Sequence, residues 1–193
     1  WTIQNLKFIN FLVDGSGVGI IRYGTTSTQT LLVEDCTFQN NFGTCLGLDA
    51  DTILTVNRCK FIDHEDTDAN SYGIMMWTGA NTNPVIIKNC LFANIAFKNI
   101  AARIVATLNH SDSVISHCTI AKRNRSPSSG TPNAPTYLFD IGPGIFRHNL
   151  LYNFDVTQPP SNGATINGSA GATVEYNTYG SSDSTWSGSL GPL

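Results

Sequence analysis

An eight-residue unit recurs seven times along this chain. It opens with an apolar residue, continues through two mostly polar ones to a Cys or Asn (Leu in the first copy), and places a Phe or another large apolar residue two positions later. The copies begin at Ile3, Val33, Val56, Ile87, Ile115, Phe146 and Val174, with successive starts 23 to 31 residues apart. A fixed core in a variable period describes coils of constant cross-section joined by loops of varying length, which is a solenoid. Residues two apart on a strand face the same way, so the Cys and Phe positions point to a common interior. Stacking then produces two internal ladders: Leu6, Cys36, Cys59, Cys90, Cys118, Asn149, Asn177, and Phe8, Phe38, Phe61, Phe92, Ile120, Leu151, Tyr179. Between the apolar opener and the Cys lies a tight bend, where Asn is favoured because it tolerates left-handed backbone. A third strand is expected after each long turn, over 18–22, 45–49, 73–77, 100–105, 137–141 and 164–167. The fold class is therefore all-β: a single-domain parallel β-solenoid of about seven coils over residues 1–181, with a Gly/Ser-rich C-terminal tail over 182–193.

Composition agrees. Charged residues make up 13% of the chain, against about 25% in an ordinary domain, which disfavours long solvent-exposed helices. The net charge of −3 argues against a general nucleic-acid binder, and no run of about 18 apolar residues is available to insert into a membrane. The five cysteines are expected to be buried free thiols. In-register neighbours sit about 4.8 Å apart, whereas a disulfide brings Cβ atoms to about 3.5–4.5 Å. Cys45 lies on a different strand from the other four, and no Cys/His spacing suits zinc. Open solenoid ends expose unpaired strand edges. They are expected to be covered by further chain or another subunit, so a homo-oligomer, as a trimer, or a larger assembly is anticipated.

Two groups of residues carry candidate chemistry. The turn 63–68 is the densest cluster of charge, and Asp63, Glu65, Asp66 and Asp68 are oxygen ligands of the type Ca²⁺ takes; a solvated acidic loop is the plainer reading. Asp49, Asp51, Trp77, Arg103 and Asp140 fall on or just after the third strand in different coils. They form a candidate sugar-binding face, in which an aromatic ring covers the apolar side of a pyranose and carboxylates accept from hydroxyls; the plainer reading has some of them inward or edging the turn. The stretch 109–112 holds the residue types of a hydrolase triad, but sequence neighbours cannot adopt triad geometry, and a polar turn is expected. The basic stretch 122–125 opens a long loop that is expected to be solvated.

The repeat and its ladders resemble the right-handed parallel β-helix superfamily, which includes pectate lyases, polygalacturonases and phage tailspikes, over roughly residues 2–181. The resemblance implies a right-handed helix and leaves the activity open. The Gly-His-Gly element, Asp pair and Arg-x-Lys pair of polygalacturonases do not occur in this sequence. The expected role is a structural or adhesive module of a phage, virus or cell-surface assembly, extracellular or on a virion surface, with a polysaccharide or glycan as partner. The alternative is a lyase or glycoside hydrolase acting on an acidic polysaccharide, with no cofactor or with Ca²⁺.

Overall fold

The computed structural model describes residues 1–12, 19–23, 27–49, 51–65, 75–78, 82–95, 104–105, 108–121, 139–152, 166–169 and 171–180. In chain order the strands are β1 (Thr2–Gln4), β2 (Lys7–Ile9), β3 (Ile21–Tyr23), β4 (Gln29–Glu34), β5 (Thr37–Gln39), β6 (Leu46–Asp49), β7 (Thr52–Asn57), β8 (Lys60–Ile62), β9 (Met75–Thr78), β10 (Val85–Lys88), β11 (Leu91–Ala93), β12 (Val114–Ser116), β13 (Thr119–Ala121), β14 (Phe139–Gly142), β15 (Ile145–Arg147), β16 (Leu150–Tyr152), β17 (Ile166–Gly168), β18 (Thr173–Glu175) and β19 (Thr178–Gly180). The first sheet runs β1-β4-β7-β10-β12-β15-β18 and the second β2-β5-β8-β11-β13-β16-β19. On the third side, β3-β6-β9 and β14-β17 form two smaller sheets. All strand pairs are parallel.

The expectation of about seven full coils overcounts. The first two sheets have seven strands each, but among the described residues only β3, β6, β9, β14 and β17 supply a third side. Strands β6, β9, β14 and β17 lie within two residues of the segments expected. Of 100–105, Ile104 and Val105 are described, and Val105 forms an isolated bridge to Phe139. The tail 182–193 lies outside the described residues.

Register follows the repeat. Val33, Val56, Ile87, Ile115, Phe146 and Val174 pair in succession through the first sheet. In the second, Phe8, Phe38, Phe61, Phe92, Ile120, Leu151 and Tyr179 do the same. The rings of Phe8, Phe38, Phe61 and Phe92 stack at centroid distances of 4.8, 4.9 and 5.1 Å, with planes within 10°. These contacts add to the apolar area they remove from water.

Two corners turn the chain between sides. The corner joining the first and second sheets has a left-handed residue at each of its seven levels: Asn5, Asp35, Arg58, Asn89, His117, His148 and Tyr176. The corner leaving the second sheet has Asn10, Asn40, Asp63 and Asn94 in the same conformation. A single left-handed residue reverses the pleat within one step, which is how two strands so close in sequence can lie on different sides of the coil.

The cysteine ladder is free and buried. The thiols do more than fill space. The Sγ atoms of Cys36, Cys59, Cys90 and Cys118 can each donate to either of two carbonyls. The nearer, two residues before each, are those of Glu34, Asn57, Lys88 and Ser116 at 3.3, 3.4, 3.2 and 3.3 Å. Those of Ile3, Val33, Val56 and Ile87 in the level before lie at 3.7, 3.5, 3.9 and 3.9 Å. Where the ladder changes to Asn, the side-chain amide bonds to the level before. Nδ2 of Asn149 donates to Ile115 O at 3.0 Å, and Nδ2 of Asn177 to Phe146 O at 3.1 Å.

Candidate functional site

Among the described residues, the first corner carries a continuous row of polar and aromatic side chains. Its left-handed residues project outward at one position per level, so neighbours touch along the stack. At the second and third levels, Arg58 grips Asp35 through Nε and Nη2, both at 2.8 Å, and reaches Glu34 at 3.1 Å. The hydrogen-bonded guanidinium holds the Asp35 carboxyl below its ordinary range, and the carboxylates hold Arg58 above its own. Asn57 donates to Glu34 at 2.7 Å and accepts from Asn89 at 2.9 Å, extending the network to the fourth level. At the fifth to seventh levels the corner becomes aromatic. His117 stacks on His148, and His148 on Tyr176, each pair with centroids 5.2 Å apart. All three rings are exposed. Arg147, one residue before His148, lies 3.8 Å from Glu175. This ring row is absent from the residues singled out in the sequence, although its signal is plain in the aligned repeat: it is the residue immediately before each Cys or Asn.

The second corner contains the start of the acidic turn. Asp63 is one of its left-handed residues, and its carboxylate accepts from Asn94 Nδ2 at 2.5 Å; one step along the same ladder, Asn40 donates to Asn10 at 2.6 Å. Glu65 is fully buried, and its backbone is tied to Asn41 and Gly43. Asp66 and Asp68 lie outside the described residues. Among the described residues, no three His, Cys, Asp or Glu side chains are grouped to hold a metal ion.

Between these carboxylates, His64 is buried with its Nδ1 3.5 Å from Cys45 Sγ. Burial pushes the Cys45 thiol well up. The Cys45 thiol is thus held protonated, the opposite of the thiolate a nucleophilic cysteine needs.

The five residues of the expected sugar face are distributed as follows. Asp49 ends β6 opposite Thr78 of β9, and Trp77 occupies the register position of Leu48, so Asp49 and Trp77 fall one register step apart on neighbouring strands. Asp51 is exposed in the turn before β7. Asp140 lies in β14 opposite Asn167 and is 7% exposed. Arg103 lies outside the described residues, as do 122–125. The 109–112 stretch is a local turn, in which Asp112 N donates to His110 Nδ1 at 3.1 Å.

No curated protein and no solved structure matches the chain. The family model for the right handed beta helix region matches it over residues 1–185. With parallel sheets closed by left-handed corners and that match over nearly its whole length, the chain belongs to the right-handed β-helix family.

Proposed function

We propose that this chain is a structural or adhesive β-helix module of a phage, virus or cell-surface assembly, and that it binds carbohydrate. The observation that supports this best is the first corner: a continuous outward row of hydrogen-bonding side chains, one per level, on a rigid backbone. A periodic ligand such as a polysaccharide meets equivalent donors and acceptors at each step along such a row, and the ladder bonds between levels hold them in place before binding, which lowers the ordering cost. In this reading the module acts outside the cell or on a virion surface and works as a trimer or larger assembly.

Two measurements on the 193-residue protein test the reading. The first is its mass in solution by light scattering; the second is its binding to an immobilised glycan panel. An oligomer that captures one glycan class is the expected result. A monomer that captures none would overturn it.

A lyase or hydrolase reading draws on the neighbouring strands that carry Asp49 and Trp77. Release of reducing or unsaturated ends from an acidic polysaccharide, lost in Asp49→Asn, would favour it.

A further inference from the structure

His117, His148 and Tyr176 occupy left-handed corner positions that the first, second and fourth levels give to Asn5, Asp35 and Asn89. Asn and Asp adopt this conformation most easily. Folding alone would keep them at every level, so bulky rings at three consecutive corners call for another reason. Their geometry narrows that reason. The rings stack on one another at 5.2 Å, so the faces between them are taken and their edges, with the imidazole nitrogens and the phenol hydroxyl, look outward. Nucleobases are held on open ring faces, and the central ring, His148, has both of its faces covered. Near-parallel imidazoles have their lone pairs in separate planes, so they do not converge on one metal ion.

The charge around them gives the ligand its sign. Lys88, Ser116, Arg147 and Glu175 follow one another in register on the strand side of the same corner, with Lys88 and Arg147 exposed. In the other direction that register passes to Asn57, Glu34 and Gln4, while Arg58 stands at the corner itself and Lys60 and Lys7 on its far side, in the second sheet. Five of the 11 Lys and Arg residues therefore line one corner of a chain whose net charge is −3. Three carboxylates share the corner, Glu34 and Asp35 paired with Arg58 and Glu175 with Arg147, so the cations outside these pairs are Lys7, Lys60 and Lys88.

We infer that this corner is the binding site for a linear acidic polysaccharide laid along the stack. The cation of Lys88 pairs with its carboxylate or sulfate groups, Arg147 adds the guanidinium N–H groups that Glu175 leaves open, and the edges of His117, His148 and Tyr176 hydrogen-bond its hydroxyls. Levels about 4.8 Å apart present this chemistry repeatedly, as a repeating ligand requires. The inference rests on the carbohydrate-binding reading above and specifies its site and charge class.

The test uses the full chain, with binding measured by calorimetry to hyaluronate, dextran sulfate, neutral dextran and oligo(dT). Hyaluronate and dextran sulfate separate carboxylate from sulfate recognition. Expected are binding to at least one of these two, weakening with added salt, and none to dextran. His117→Asn with His148→Asn restores the side chain best suited to the corner, so this double variant stays folded by thermal melting while its affinity falls about tenfold. Lys88→Glu with Arg147→Glu abolishes binding. Acidic-polysaccharide affinity unchanged in both double variants would overturn the corner site while leaving a glycan-binding module standing. Binding to neutral dextran alone would overturn the charge class, and preference for oligo(dT) would overturn the polysaccharide. No glycan bound at all would overturn both this inference and the reading beneath it.

Discussion

At the residue scale, backbone conformation sets the strictest demands. Gly142 has φ +49°, and a Cβ there would run into the carbonyl of Leu108. Gly171 also has a positive φ, +93°, but its nearest contact would be Pro143 Cβ at 3.9 Å. Gly142→Ala therefore meets both strain and a backbone collision, and is expected to cost at least about 1–3 kcal/mol. Gly171→Ala meets strain alone and should cost less. Urea melts of the two variants check the order, and equal costs would mean that the chain around Leu108 yields. The Arg58–Asp35 pair carries a pH signature. Asp35 is depressed in the folded state by the bound guanidinium, so its contribution is present above the unfolded value of about 3.9 and is lost as pH falls through the folded one. In Arg58→Ala the Asp35 carboxyl is expected to titrate higher, as followed by carbon NMR, and the stability gap between wild type and variant should close below about pH 4. The pair is exposed, so added salt should shrink the gap.

At the element scale, the ladders decide both stability and how much of the fold is legible in advance. Phe61 is fully buried between Phe38 and Phe92, at 4.9 and 5.1 Å. Phe61→Ala removes the ring from a slot whose walls are set by strand spacing and cannot collapse, so a loss of about 3–5 kcal/mol is expected. Phe61→Leu should cost clearly less, because Leu151 fills the same rung one level beyond Ile120. Comparable denaturant midpoints for the Ala and Leu variants would rule out the rigid slot. The repeat is legible because the chemistry of its inward rungs is nearly constant from level to level: Cys or Asn at one position, Phe or an aliphatic at the other. The third side is less legible. Its strands follow loops of variable length, and a shift of one residue reverses which side chains face inward, so Asp140, expected on an open face, sits in a strand that is buried throughout. Asp63 shows a different limit. A carboxylate in an acidic run suggests a ligand, but here it serves as a left-handed corner residue bonded to Asn94, a role visible only once the register is known. The row from His117 to Tyr176 stands in plain view in the repeat, but its meaning depends on exposure and ring geometry, which periodicity does not carry.

At the scale of the whole molecule, each strand pairs only with its counterparts one level above and below in the large sheets, so stability is close to a sum of level-to-level interfaces. Interior levels have two such interfaces and end levels one. The burial pattern follows this logic. Ile3 and Phe8 at the first level and Val174 at the last are only partly buried, whereas their equivalents from Val33 and Phe38 through Ile120 and Phe146 are buried. Trp1, Leu6, Phe11 and Leu12 at the first level are exposed. Native-state hydrogen exchange should therefore report a gradient. Amides of β7, β8, β10 and β11 are expected to exchange only through global unfolding, with the steepest denaturant dependence. Amides of β1, β2, β18 and β19 should exchange through local opening that denaturant barely affects. The gradient also bears on assembly. If the protein oligomerises through an open end, protection at that end should rise with protein concentration while the middle levels stay constant. Uniform protection from first level to last, independent of concentration, would mean that the stack unfolds as one unit and that its terminal interfaces are as strong as the internal ones.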